Sequence, residues 1–204
     1  MQRLLLVAAA GATGLVIAAF STRVQSVQAL DDALEAFAGL HRERWRRVAG
    51  AATLTGEKFV HPVIGAVTAA VLFATRGGAP LDFVIPLACA SLGGIITHHV
   101  VKFIYHRPRP DVALRRNKTE AAFPSGHTTN ATAVVTTSAY LLMRYGVLPV
   151  PVAVVAVIAL CLATGASRVL LGWHWGTDVI GGWFAGVGVA AGCCWLHETL
   201  LATG

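Results

Sequence analysis

The chain has 204 residues, of which 55% are hydrophobic and only 13% are charged. About a quarter of the residues in an ordinary soluble domain are charged, so the composition excludes that class and indicates one integral membrane domain over residues 1–204. The formal net charge of +6 falls in short stretches between apolar runs rather than on one face. It argues against a nucleic-acid partner and favours membrane lipids with anionic headgroups, or a phosphate-bearing substrate.

Six apolar runs approach the roughly 17–25 residues that a membrane-spanning helix needs. They cover residues 4–20, 59–75, 83–101, 128–143, 147–166 and 175–196. We therefore predict an all-α fold, a bundle of six transmembrane helices. The first run has features of a signal peptide, but its apolar stretch exceeds a signal-peptide core of about 7–15 residues. A retained helix is therefore favoured.

The segment between the first two spans repeats apolar residues every three or four positions, from Val27 to Val48. Acidic residues lie early in this segment and arginines lie late, an arrangement that complements a helix dipole. We predict an amphipathic interfacial helix here. Two roles are open for it: contact with anionic lipid at the membrane surface, or a cap packed over the bundle.

The first polar cluster follows the third span and contains Lys102, Arg109 and Pro110. The Lys102 stem can lie along apolar surface while its ammonium reaches the interface. The planar guanidinium of Arg109 offers parallel donors to two phosphate oxygens. By itself this cluster is more typical of an ordinary basic helix end than of a functional site.

The second cluster, Pro124-Ser125-Gly126-His127, opens the fourth span. Ser125 is a favourable N-cap, and Gly126 lets a ligand approach the free N–H groups of the helix start, which bind phosphate readily. His127 is then placed to protonate a leaving oxygen. A capped helix with an incidental histidine is the competing interpretation.

The third cluster runs from Ser167 to Asp178 and joins the last two spans. His174 and Asp178 share a face if a helix begins at His174. The carboxylate would then bind one imidazole nitrogen and leave the other as a nucleophile, with Arg168 as a further phosphate ligand. With six spans, all three clusters lie on one side of the membrane, and ionisable pairs in membrane proteins indicate function by default.

Together, Lys102-x6-Arg109-Pro110, Pro124-Ser125-Gly126-His127 and Ser167-Arg168-x5-His174-x3-Asp178 resemble the three-part signature of the type 2 phosphatidic acid phosphatase superfamily. The resemblance implies that His174 is the nucleophile and forms a phosphohistidine, that Asp178 orients it, and that His127 protonates the leaving oxygen. It assigns the phosphoryl oxygens to five residues: Lys102, Arg109, Ser125, Gly126 and Arg168. No metal and no cofactor are expected, since the nearby acids, Asp111 and Asp178, form no carboxylate cluster.

The same resemblance implies a lipid phosphate substrate that reaches the site from the bilayer. It favours a polyprenyl diphosphate, such as undecaprenyl diphosphate, with phosphatidate or phosphatidylglycerophosphate as the alternative. A non-catalytic lipid transporter or assembly subunit is the alternative from another class. The signature is also similar to that of vanadium haloperoxidases, but those proteins are larger and mostly soluble.

Six spans put both termini on one side of the membrane, together with Arg3, Arg76 and Arg144. The other thirteen of the 16 Lys and Arg then lie on the side of the polar clusters. Short loops rich in these residues normally stay cytoplasmic, whereas the family resemblance implies an external site. Because the chemistry itself requires several of these cations, we expect the site on the extracytoplasmic face of the cell (inner) membrane.

Overall fold

The computed structural model describes residues 1–77, 81–114 and 120–203. Within these residues the regular secondary structure is helical, without strands, which confirms the all-α prediction. The elements in chain order are α1 (Gln2–Ser21), α2 (Gln25–Ala52), a 3₁₀-helix (Thr53–Gly56), α3 (Val60–Arg76), α4 (Leu81–Ile104), α5 (Asp111–Leu114), α6 (Gly126–Arg144), α7 (Val150–Leu170) and α8 (Gly176–Thr203).

Helices occupy all six segments that were predicted to span the membrane. Four of them, α1, α4, α7 and α8, are by themselves long and apolar enough to cross it. The α3 helix has 17 residues and follows α2 and the 3₁₀-helix after a bend of 61°. By length and composition, this bent pair adds a fifth candidate span among the described residues.

The remaining predicted span, α6, lies inside the bundle and contacts α4, α7 and α8. Most of its residues are buried, and several carry hydroxyl groups that make it less apolar than its neighbours: Thr128, Thr129, Thr132, Thr137 and Ser138. Protein surrounds this helix where lipid would surround an outer one. Its amino-acid composition is therefore suited to close packing against other helices rather than to contact with the hydrocarbon core of a membrane.

The predicted amphipathic helix is α2, and it packs against α7. It buries Asp31, Ala38 and Ala49 on the side that faces the bundle. Large apolar side chains on the same helix stay exposed, including Phe37 and Leu40. The helix is thus a cap on the bundle, and its exposed apolar residues are those that a helix at a lipid interface presents.

The polar clusters converge because four helix ends meet on one side of the bundle. Lys102 lies in the last turn of α4 and Arg168 in the last turn of α7. His127 lies in the first turn of α6, and Asp178 lies in the first turn of α8. Side chains far apart in sequence therefore reach one depth of the bundle.

Close packing of α8 against α6 requires glycine on α8. A Cβ at Gly186 would lie 2.5 Å from Thr132 Cβ and 2.7 Å from the Thr129 carbonyl oxygen. A Cβ at Gly192, on the same helix, would meet no described atom within 4 Å. The two positions form a matched pair, since they differ in the space around them and share the same helix.

We predict that Gly186→Ala lowers the thermal stability of the purified protein in detergent. Overpacking costs about 1–3 kcal/mol and exceeds the roughly 0.5–1 kcal/mol that alanine ordinarily contributes over glycine inside a helix. Gly192→Ala should unfold at the wild-type temperature or slightly above it. Equal unfolding temperatures for the two variants would contradict the close approach of α6 and α8.

Candidate active site

A cavity of about 480 Å³ opens where the helix ends meet. Six of the eight residues that the sequence predicted for the site line it: Lys102, Arg109, Gly126, His127, Arg168 and His174. The other two, Ser125 and Asp178, do not line the cavity and are fully buried against residues next to it. The structure therefore gathers the predicted residues around one space, in two layers.

The His174 imidazole lies between a carboxylate and a guanidinium. Its Nδ1 is 3.4 Å from Asp178 Oδ2, and its Nε2 is 3.3 Å from Nη1 of Arg109. Arginine only donates hydrogen bonds, so Nε2 must be the acceptor and the ring proton must lie on Nδ1. This tautomer leaves the Nε2 lone pair on the Arg109 side, where a phosphoryl group bound by that arginine would lie.

Asp178 is held in place by the start of its own helix. Its Oδ2 accepts from the backbone N–H of Trp175 at 2.9 Å, because α8 begins at Gly176 and not at His174 as the spacing argument assumed. The distance to His174 Nδ1 is longer than a well-formed hydrogen bond. Catalytic contacts of this kind are often long before substrate binds and shorten afterwards.

Arg109 is fixed by backbone carbonyls. Its Nε donates to the carbonyl of Glu120 at 2.9 Å and its Nη1 to that of Trp173 at 2.8 Å. Burial lowers the pKa of Arg109, yet a guanidinium stays protonated in proteins. The side chain is thus a buried, oriented cation at the cavity wall.

Arg168 reaches the cavity from α7 and is almost completely buried. Its Nη1 donates to Thr53 Oγ1 at 2.7 Å, and its guanidinium lies 4.2 Å from the ring centroid of Trp173. Its Nε has no hydrogen-bond partner among the described residues. A buried donor without a partner is costly, and an anion in the cavity would satisfy it.

His127 pairs with an acidic residue that lies outside the three sequence motifs. Its Nε2 is 3.0 Å from Glu57 Oε1. Gly56, next to Glu57, permits this approach, because a Cβ there would lie 2.5 Å from His127 Cβ. The Glu57 carboxylate can accept a hydrogen bond from this nitrogen and so hold the imidazole at the cavity wall. In the sequence, Glu57 is marked only by its position beside Lys58, just before the second predicted span.

The contacts of Ser125 are structural. Its Oγ accepts from Thr128 Oγ1 at 2.9 Å, and its backbone N–H donates to the Asp178 carbonyl at 2.9 Å. Ser125 therefore ties the start of α6 to the start of α8. Its predicted contact with phosphate stays a prediction, and Gly126 and His127 are the residues of this motif that line the cavity.

Two further residues escaped the sequence argument. Arg107 Nη1 donates to Asp178 Oδ1 at 2.7 Å, and Arg107 Nη2 donates to Asp31 Oδ2 at 2.7 Å. Asp31 belongs to α2, where the charge pattern indicated only a complement to the helix dipole. No spacing in the sequence signals the contact of Arg107 with Asp31, because the two residues lie 76 positions apart.

The cavity as a whole suits a phosphoryl group. Four cations line it, Lys58, Lys102, Arg109 and Arg168, and charge-assisted hydrogen bonds to phosphate are among the strongest in proteins. Among the described residues, no group of three or more His, Cys, Asp or Glu could hold a metal ion. Fixed cations are what phosphoryl transfer needs most, because the reaction depends on positioning and charge stabilisation.

The same surroundings control the ionisation of His174. Burial, then the positive charges of Arg109 and Arg168, hold the pKa of His174 well below its ordinary value. These surroundings therefore favour the neutral imidazole, the form that a nucleophile requires. Removal of one cation should raise this pKa, so that His174 takes up a proton at a higher pH.

We predict that Arg109→Gln lowers kcat/KM and also moves the acid limb of its pH profile upward. Wild type and variant are measured with the same substrate, so that the titration of the substrate itself cancels in the comparison. Arg144→Gln, at the far end of α6, is the matched control and should leave the profile unchanged. An unmoved acid limb in Arg109→Gln would contradict electrostatic control of His174.

Comparisons with known proteins identify the family. The family model described as the PAP2 superfamily matches residues 83–201. Phosphatidylglycerophosphatase B of Bacillus subtilis (strain 168) is 31% identical over 176 residues, 84% of this chain and 85% of the relative. Undecaprenyl-diphosphatase BcrC of the same organism is 33% identical over 95 residues, 44% of this chain and 45% of the relative.

Among solved structures, a transmembrane PAP2-type phosphatidylglycerolphosphate phosphatase from Bacillus subtilis matches with a TM-score of 0.80. The two chains are 27% identical, and the match covers 95% of this chain and 96% of that one. The fold, the motifs and the relatives therefore lead to one family. The chain belongs to the PAP2 superfamily and is an integral membrane lipid phosphatase.

Proposed function

We propose that the protein hydrolyses the phosphate ester of a membrane lipid through a phosphohistidine on His174. The observation that carries this proposal is the 3.3 Å contact of His174 Nε2 with Arg109 Nη1, at the wall of a cavity that Lys102 and Arg168 also line. A transporter or assembly subunit of another class would not require a neutral imidazole in that position. The relatives named above are phosphatases.

In the first step, His174 Nε2 attacks phosphorus, the N–P bond forms and the bond to the lipid oxygen breaks. His127 gives its proton to that oxygen, so the lipid leaves as an alcohol. In the second step, a water gives a proton to His127 and attacks the phosphohistidine. The N–P bond breaks, inorganic phosphate forms and His174 returns to its neutral state. Lys102, Arg109 and Arg168 stabilise the charge on the phosphoryl oxygens throughout.

An apolar cavity beside the site offers space for the lipid tail. A second cavity of about 550 Å³ lies between α3 and α4, and its lining includes Pro62, Gly65, Leu87 and Leu92. Ile95, one turn beyond Leu92 on α4, lines the polar cavity. The apolar cavity therefore approaches the polar cavity along α3 and α4. This arrangement supports a substrate that arrives laterally from the bilayer, with its headgroup in the polar cavity.

Phosphatidylglycerophosphate is the favoured substrate, and a polyprenyl diphosphate is the second candidate. The sequence alone put the polyprenyl diphosphate first. The relative that covers more of the chain and the matching crystal structure both carry the phosphatidylglycerophosphatase name, and the undecaprenyl-diphosphatase matches less than half of the chain. Because of this difference in coverage, we favour phosphatidylglycerophosphate over the polyprenyl diphosphate as the substrate.

The face of the membrane that carries the site is also part of the proposal. We place it on the extracytoplasmic side of the cell membrane. The site itself accounts for Lys102, Arg109 and Arg168, so these cations reflect chemistry rather than topology. The excess of Lys and Arg on this side is correspondingly weaker as a signal for the cytoplasm.

We predict that phosphate release by the purified protein persists in excess EDTA, since side-chain cations hold the phosphoryl group. The assay compares phosphatidylglycerophosphate, phosphatidate and undecaprenyl diphosphate in mixed micelles, and kcat/KM should be highest for phosphatidylglycerophosphate. Loss of activity in EDTA that Mg²⁺ restores would overturn the metal-independent mechanism. A higher kcat/KM for undecaprenyl diphosphate would restore that lipid to first place.

We predict that the two histidines respond differently to the leaving group. His174→Ala should abolish turnover of every substrate, because no covalent intermediate can form. His127→Ala should lose about 10²- to 10⁴-fold with a lipid phosphate and far less with an activated aryl phosphate, whose leaving group needs no proton. Steady-state phosphate release with both substrates measures this difference.

His41→Ala provides the control, since His41 lies on α2 away from the cavity and contacts its own helix at the Phe37 carbonyl. It should match the wild type with both substrates. Equal losses of His127→Ala on lipid and aryl phosphates would show that His127 is not the acid for the leaving group. Turnover by His174→Ala would rule out the phosphohistidine.

A further inference from the structure

We infer that Asp31 of α2 is a positioning residue for catalysis, acting on His174 through Arg107 and Asp178. The inference rests on the proposed role of His174 as the nucleophile. It assigns a task in the reaction to a helix that lies outside the three sequence motifs. The chain of contacts runs from α2, through the loop after α4, to the first turn of α8.

The contacts are short, and the groups are buried. Arg107 lies between two carboxylates, with Nη1 at 2.7 Å from Asp178 Oδ1 and Nη2 at 2.7 Å from Asp31 Oδ2. The exposed fraction of the side chain is 11% for Arg107, 2% for Asp31 and 0% for Asp178. Such a fork fixes the guanidinium in both position and plane.

Asp31 also binds the backbone between His174 and Asp178. Its Oδ1 accepts from the Thr177 backbone N–H at 3.0 Å, and its Oδ2 accepts from the Thr177 hydroxyl. Arg107 Nη1 donates to the same hydroxyl at 2.6 Å. Asp31 thus anchors the first turn of α8, which carries Asp178 and sets the distance from its carboxylate to His174.

The charge of Asp31 has a separate consequence. When His174 Nε2 bonds to phosphorus, the proton on Nδ1 remains and the ring becomes cationic, so it needs a negative Asp178 beside it. Arg107 paired with Asp178 alone would cancel most of that charge. Asp31 shares the same guanidinium, so the three buried groups together carry one net negative charge. That charge is then available to the imidazolium.

A purely structural ion network is the competing explanation, because any buried charge needs a partner. The two explanations differ in what an uncharged residue at position 31 would do. A structural role predicts lower stability with loss of activity in proportion. A positioning role predicts a loss in kcat that depends on Asp178 and leaves substrate binding intact.

The test uses Asp31→Asn in the full-length protein, with the exposed neighbour Asp32→Asn as the matched control. We expect kcat with a lipid phosphate to fall about 10- to 100-fold, the range for partners that orient a functional histidine in metal sites. KM should stay within about twofold, and the Asp32→Asn variant should match the wild type. Asp31→Glu, which keeps the charge, should recover part of the lost kcat.

A double-mutant cycle with Asp178→Asn separates the explanations. If Asp31 acts through Asp178, Asp31→Asn should cause little further loss of kcat in the Asp178→Asn background. The same fold-loss in both backgrounds, or a wild-type kcat for Asp31→Asn, would overturn the inference. The thermal unfolding temperature of each variant shows whether it is folded. If Asp31→Asn does not fold, Asp31→Glu carries the cycle, with a smaller loss of kcat expected that again vanishes beside Asp178→Asn.

The His174→Ala variant distinguishes failure of this inference from failure of the proposed function. Activity in His174→Ala would remove the phosphohistidine and with it the role of Asp31. An inactive His174→Ala together with a fully active Asp31→Asn would overturn only the role of Asp31.

Discussion

The position of one proton governs the site. Arg109 cannot accept a hydrogen bond, so its contact with His174 Nε2 places the imidazole proton on Nδ1, on the side of Asp178. The Nε2 lone pair is thereby directed toward Arg109, at the wall of the cavity that the other cations also line. Backbone carbonyls fix this guanidinium, and Arg107 with the Trp175 N–H fixes this carboxylate. These groups come from different parts of the chain, so the tautomer depends on the packing of the whole bundle.

Burying several cations together is unfavourable unless each has a partner. Backbone carbonyls accept from Arg109, while Thr53 and the Trp173 ring contact Arg168. These contacts hold the cations in place before substrate arrives, so little reorganisation is needed when negative charge develops. Apart from the exposed Glu120 carboxylate, 3.7 Å from Arg109 Nη2, these partners are neutral, which leaves the positive charge available to a phosphate. An ion pair for each cation would have weakened the site.

The bundle separates the apolar and polar requirements of a membrane enzyme. The outer helices α1, α4 and α7 meet the length and composition of membrane spans, whereas α6 is enclosed by protein and carries hydroxyl groups. The polar start of α6 can therefore form part of the site without exposing polar groups to lipid. The α2 cap adds a second polar layer behind Asp178, with exposed apolar residues on the same helix.

The class of fold, the positions of six helices and six of the residues that line the cavity could all be predicted from the sequence. These features follow from local rules: apolar runs of a given length form helices, and an even number of helices brings Lys102, His127 and His174 to one side. Only the packing of the folded bundle shows which polar groups pair behind the residues that line the cavity. Asp31 reaches Arg107, and Glu57 reaches His127, across about 70 or more residues. Contacts of this kind depend on how the bent helix pair of α2 and α3 packs against the bundle, and no periodicity or spacing in the sequence encodes that angle.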